Sequence, residues 1–122
     1  MKPLVLVMCA AAGLGAGCGS TSPVAYCDNF ETELCARVFE CNDGATQATA
    51  DFQMAWGTSV ADCDAKLKAA YCATVTNAHP CATNAMTYHA DKADACVADL
   101  KAASCSTVQA GFTSDNCAAV CS

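Results

Sequence analysis

Cys63-Asp-Ala-Lys-Leu-Lys-Ala-Ala-Tyr-Cys72 decides how this chain is read, because it returns 33 residues later as Cys96-Val-Ala-Asp-Leu-Lys-Ala-Ala-Ser-Cys105. Between Ala61–Val75 and Asp94–Val108, nine of fifteen positions are identical. Ala, Leu and Lys are strong helix formers. In the first copy, Val60, Cys63, Leu67 and Tyr71 (or Ala70) recur at helical spacing; in the second, Ala93, Cys96, Val97, Leu100 and Ala103 do so. Asp62 with Lys66, and Asp64 with Lys68, are i, i+4 pairs that place acid early and base late along the helix dipole. Thr58 or Ser59 is expected to cap the first copy and Asp91 the second. The β-branched run Thr74-Val75-Thr76 should end the first helix. Tandem arrays need about three copies or more, so two copies read as a duplication inside one domain.

The rest of the chain follows the same period. Cys27, Phe30, Leu34, Cys35, Val38 and Cys41 form one face of a helix over Tyr26–Cys41, with Glu33 and Arg37 paired on the wet side. Ser22-Pro23 offers an N-cap and first position slightly earlier. Asn42-Asp43-Gly44 should end that helix, with Gly44 free to turn left-handed. Between Ala45 and Gly57 the pattern is mixed; flanking Ala and Gln favour a short helix. Asn77–Cys81 reads as a turn, and Ala82–Ala90 as a short helical turn around Met86. Cys105–Phe112 reads as a loop, and Asp115-Asn116 as the start of a last turn. No two alternating runs flank a hairpin signal. The predicted fold is therefore all-α: a small bundle of antiparallel helices, stapled by disulfides.

Twelve cysteines in 122 residues are the composition of a disulfide scaffold, which persists in oxidising compartments. Nine residues of helix rise about 13.5 Å, whereas bridged Cα atoms lie within about 7 Å. Cys63 should not reach Cys72, nor Cys96 reach Cys105. Cys27, Cys35 and Cys41 are likewise too far apart along their helix to pair with one another. Bridges among Cys27, Cys35, Cys41, Cys63, Cys72, Cys81, Cys96, Cys105, Cys117 and Cys121 must then run between segments. A Cys41–Cys63 bridge is expected, joining the end of one helix to the start of the next copy.

The N-terminus reads as a targeting signal. Met1-Lys2 precedes an apolar stretch, Leu4–Ala16, too short for an ordinary membrane span of about 20 residues. Leu14-Gly-Ala-Gly-Cys18-Gly-Ser20 resembles a bacterial lipobox, although Gly15 stands where Leu is preferred. That resemblance implies a signal over 1–17, a lipid on Cys18, a tether over 18–25 and a helical domain over 26–122. An ordinary secretory signal cut near Cys18 is the alternative. With Cys9 lost in the signal and Cys18 lipidated, ten cysteines remain, an even set. Five basic residues (Arg37, Lys66, Lys68, Lys92, Lys101) then face twelve acidic ones. Such a surface repels nucleic acid and anionic lipid, so membrane attachment would come through the lipid on Cys18 alone.

No constellation in the sequence carries catalysis or metal binding. Cys117-x₃-Cys121 stands without a second pair, His79 and His89 read as surface histidines, and no Cys-x-x-Cys or Gly-x-Ser-x-Gly occurs. Asn42-Asp43-Gly44 alone makes no calcium loop, and no cofactor is expected. A small Ala-rich bundle offers little room for a pocket of about 300 Å³ or more. Trp56, the only Trp, reads as a core or lid residue, with a protein-partner anchor as the alternative.

Gly17-Cys18-Gly19-Ser20, Cys35-Ala-Arg-Val-Phe-Glu-Cys41 and Ala95–Cys105 together resemble the small cysteine-rich lipoproteins common in myxobacteria and related bacteria. The resemblance is compositional and implies a location, not an activity. The expected function is a non-enzymatic, lipid-anchored binding or structural module of the cell envelope, facing periplasm or cell surface. The alternative is a secreted effector or inhibitor-like module.

Overall fold

The structure, a computed structural model, describes residues 21–122. The expected signal over 1–17 and the expected lipid site, Cys18, lie outside the described residues. What is described is all-α and stapled by five disulfides. The helices are α1 (Pro23–Cys41), α2 (Gly44–Gln47), α3 (Ala50–Trp56), α4 (Val60–Leu67), α5 (Ala90–Ala102), α6 (Cys105–Gln109) and α7 (Asp115–Ala118). A π-helical segment, Lys68–Cys72, continues α4.

Local chemistry sets most helix starts. Ser22 caps α1, accepting from the Ala25 N–H, and Pro23 takes the first position, where its missing N–H costs nothing. The helix therefore begins before the expected Tyr26, and residues 23–25 belong to it rather than to a tether. Ser59, not Thr58, caps α4. Asn42-Asp43-Gly44 ends α1 without a left-handed glycine: Asn42 is extended, and Asp43 caps a new helix that Gly44 opens. The ambiguous stretch after it forms two short helices. Gly57 closes the second at φ 83°, a region costly for other residues. A Cβ there would lie 2.5 Å from an Asp62 carboxylate oxygen.

The bridges set the directions. Cys35–Cys63 and Cys27–Cys72 run in opposite order along the chain, so α4 and its π segment lie antiparallel to α1. The expected antiparallel packing describes this pair. α5 lies along α1 in the same sense: Tyr26 meets Cys96, Arg37 donates to the Ala103 carbonyl, and Cys41 bridges to Cys105. The segment 73–89 carries the chain back between the copies. It is turns and bends, without the helical turn expected around Met86. Cys81–Cys121 and paired hydrogen bonds between Thr87 and Ser122 fasten it to the C-terminus, and Cys96–Cys117 fastens α5 to α7.

Two other cysteine expectations are settled by these pairs. Neither copy closes on itself: continuous helix holds Cys63 and Cys72 apart, and in the second copy, whose helix ends at Ala102, Cys96 and Cys105 bridge to Cys117 and Cys41. The Cys41–Cys63 bridge does not form. Cys41 lies one full turn and more beyond Cys35 on α1, and Cys35 is the residue that faces α4; Cys41 meets the start of α6 instead.

Several local expectations give way to tertiary contacts. Val60 and Tyr71 are 40% and 65% exposed rather than buried. Tyr71 falls in the π segment and stands out from it, although it lies four residues after the buried Leu67. His89, not Asp91, is the N-cap of α5, because its N–H is held in extended backbone by the Val120 carbonyl at 2.8 Å. Residues 105–109, expected in a loop, form α6, capped by Ser104. Arg37 pairs with Glu40 rather than Glu33. Asp62 accepts from the Thr58 N–H, and Lys66 donates to the Met54 carbonyl, so these two do not pair. Asp64 and Lys68 pair as expected, at 2.9 Å.

The apolar interior is thin. Of its eleven buried apolar residues, four are cysteines: Cys35, Cys41, Cys63 and Cys96. Phe52, Val38 and Val108 surround Cys41, while Leu67 packs with Cys35 and Cys63. Ala93, Cys96 and Val120 gather Tyr26, Phe30 and Tyr88 into a third cluster. A domain of this size gains stability by adding covalent staples to so small a core.

Candidate functional site

One charged side chain lies on the cysteine face of α1. Glu31 falls four residues after Cys27 and four before Cys35, so the helix turns it inward with them. It is 7% exposed, and it is the only buried charged residue among those described. Its Oε2 atom accepts no hydrogen bond among the described residues. A buried polar atom left this way costs about 1–3 kcal/mol, more if charged.

The cation that acts on it makes its ion pair elsewhere. Lys68 is tied to Asp64 at 2.9 Å, and Asp64 also accepts from the Thr32 hydroxyl at 2.8 Å. Those bonds hold the Asp64 carboxyl below its usual pKa, the Lys68 hydrogen bond foremost. Glu31 moves the opposite way. Burial pushes its pKa up, the Asp64 charge adds to this, and Lys68 offsets part of it.

Above Glu31 opens a cleft of about 540 Å³, lined by Glu31, Leu34, Ala55, Trp56, Leu67 and Tyr71. The expectation of too little room is thus overturned. The space is not a hollow within the bundle; it is an open-sided groove with a buried floor and exposed aromatic wall. Leu67 and Glu31 are the floor, and Tyr71 stands out from the π segment. Trp56, half-buried, packs against two of the core clusters and also faces the cleft. The expected packing role is thus met, and the same side chain also forms part of the cleft wall.

Glu31 also lies beside a bridge. One of its carboxylate oxygens and the sulfurs of Cys27 and Cys72 are within 4.8 Å of one another. Such a trio has metal-ligand composition, but both sulfurs are spent in the Cys27–Cys72 disulfide. In the oxidised protein it offers one carboxylate and no thiolate. Cys117 and Cys121 are likewise bridged, to Cys96 and Cys81. His79 is exposed and His89 half-buried, and neither lines the cleft.

A second, smaller groove of about 330 Å³ runs between α1 and α5, lined by Asn29, Thr32, Glu33, Val97 and Lys101. It holds both signs of charge and no buried polar group, so it selects little.

Sequence reasoning reached Trp56 and missed Glu31. The signal was present: a carboxylate between two cysteines at i−4 and i+4 on a stripe otherwise apolar. No family model, no curated protein and no solved structure matches this chain, which leaves the chemistry of the cleft as the guide to its use.

Proposed function

We propose that this chain is a non-enzymatic binding module of the bacterial cell envelope, held to a membrane by a lipid on Cys18. The observation that carries this reading is the complete pairing of ten cysteines, with no free thiol among the described residues. Five bridges in a domain with so little apolar core belong to an oxidising compartment. They account for all ten cysteines of the described residues. The cleft supports a binding role. Its lining has one carboxylate and one phenol, Tyr71, with no histidine, serine, cysteine or lysine to pair with them as base and nucleophile, a sparse set for general acid–base or covalent chemistry.

The test is Cys18→Ser followed by fractionation of cells and medium, with mass spectrometry of the mature N-terminus of the unaltered protein. A diacylglyceryl Cys18 and release of the variant from membranes are expected. A variant that stays in the membrane pellet removes the lipid anchor. An unmodified N-terminus recovered from the medium favours the secreted module instead.

A further inference from the structure

We propose that the cleft over Glu31 binds a small organic cation: a protonated amine on an apolar body, with Glu31 as counter-ion and Trp56 and Tyr71 as walls. This rests on the binding-module reading and gives it a ligand class.

The argument starts from an unbalanced charge. Glu31 is 7% exposed, it contributes to the cleft's lining, and its Oε2 atom has no donor among the described residues. The terminal torsion of Glu is broad, so either oxygen turns readily toward an occupant. Lys68 is held by Asp64, which is held in turn by Thr32. The protein thus places a carboxylate in a low-dielectric site and spends that cation elsewhere. An ammonium entering the cleft supplies the missing donor and the missing charge together, and hydrogen bonds between ionised partners are the strong ones.

The walls define the rest of the ligand. Leu34, Ala55 and Leu67 offer apolar surface, and Trp56 and Tyr71 offer ring faces that attract cations and alkyl groups alike. The volume lies in the range of small-molecule sites. An anion would meet the Glu31 carboxylate. A neutral apolar molecule would seal Glu31 away from water with no partner, which costs more than leaving the cleft wet. Only a cation with an apolar body satisfies both parts of the lining.

Trp56, the only Trp in the chain, reports on the cleft directly. The oxidised full-length protein is titrated with n-hexylamine, n-hexanol and n-hexanoate at equal ionic strength, following Trp56 emission. Hexylamine is expected to give a saturable change, with hexanol and hexanoate at least about tenfold weaker, the scale of one charge-assisted bond. Glu31→Gln should weaken hexylamine by a similar factor of about ten. Tyr71→Ala, at a position 65% exposed and so not needed for folding, should weaken it several-fold.

Should Glu31→Gln fail to fold, pH replaces it. Hexylamine stays protonated in acid, so its binding should fall as the pH is lowered from neutral into the acid range and Glu31, whose pKa burial raises, gains a proton. The groups around Glu31 are Tyr26 on its own helix, Asp64 on α4, and Lys68 and Tyr71 on the π segment; α3 supplies only Trp56 and Ala55. Asp64 is held below its usual pKa and so titrates after Glu31. Equal affinity for hexanol or hexanoate, an undiminished Glu31→Gln, or binding that is flat across that pH range overturns the amine assignment. None of these outcomes touches the Cys18 fractionation, so failure of the ligand class is separable from failure of the envelope reading.

Discussion

The two copies of the duplicated decapeptide share their core residues and differ in backbone. Cys63 and Cys96 are both fully buried, and Leu67 and Leu100 are both buried beside them. Beyond that point they part. The first copy stays helical through Cys72 by widening into a π segment, and both its cysteines bridge to α1. The second stops at Ala102, turns at Ala103 and starts α6 at Cys105; its cysteines bridge to α7 and to the end of α1. One aligned pair accounts for much of this. Where the first copy has Tyr71, the second has Ser104, whose hydroxyl accepts the Thr107 N–H and caps a new helix. Arg37 holds the turn open by donating to the Ala103 carbonyl. A repeat thus preserves what it buries, while one polar side chain and the available partners decide how its end is wound.

The largest expected effect separates the copies by their clamps. Cys35→Ala with Cys63→Ala removes a bridge whose sulfurs lie at the centre of a buried cluster, and should cost about 3–5 kcal/mol. Cys96→Ala with Cys117→Ala removes a bridge of similar loop length but with a half-buried partner, and should cost about 3 kcal/mol. Denaturant unfolding of the two double variants ranks them. Equal losses would show that burial adds nothing to the covalent constraint.

A smaller effect tests the Tyr71–Ser104 difference. Ser104→Ala should cost about 1 kcal/mol by removing the cap of α6. Ser104→Tyr, which makes the second copy match the first, should cost at least as much. If either variant melts like the unaltered protein, the divergence of the copies lies in the bridges alone.

The smallest effect concerns pH and is read by sign. The folded protein raises the pKa of Glu31 above its ordinary value of 4.5, chiefly by burial. Between the unfolded and folded pKa the native state therefore binds more protons, and this residue's contribution to stability falls as pH rises through that window. Glu31→Gln should be the more stable protein at neutral pH, with the gain shrinking as pH falls through that window and gone below it, where both states are protonated. Melting temperatures at pH 4 and pH 7 check this; a Glu31→Gln less stable at pH 7 would mean that the carboxylate has a partner in the fold.

Some of this was legible in residues taken one segment at a time. The helix starts at Ser22-Pro23 and Ser59, the Asp64–Lys68 pair and the ban on a Cys63–Cys72 bridge follow from local hydrogen bonding and helical rise. These forces act over one or two turns, so spacing alone reports them. The site was half legible: Trp56 stood out, while Glu31 was passed over among other acidic residues.

Tertiary structure alone decided which cysteines meet, because a bridge requires two helix faces within about 7 Å, and no spacing says which faces are opposed. It decided that Cys35 rather than Cys41 faces Cys63. It also decided that Lys68 would neutralise Asp64 and leave the Glu31 Oε2 atom without a donor among the described residues. Burial, charge balance and the cleft itself are properties of several segments brought together, and none of them exists in any one segment of the chain.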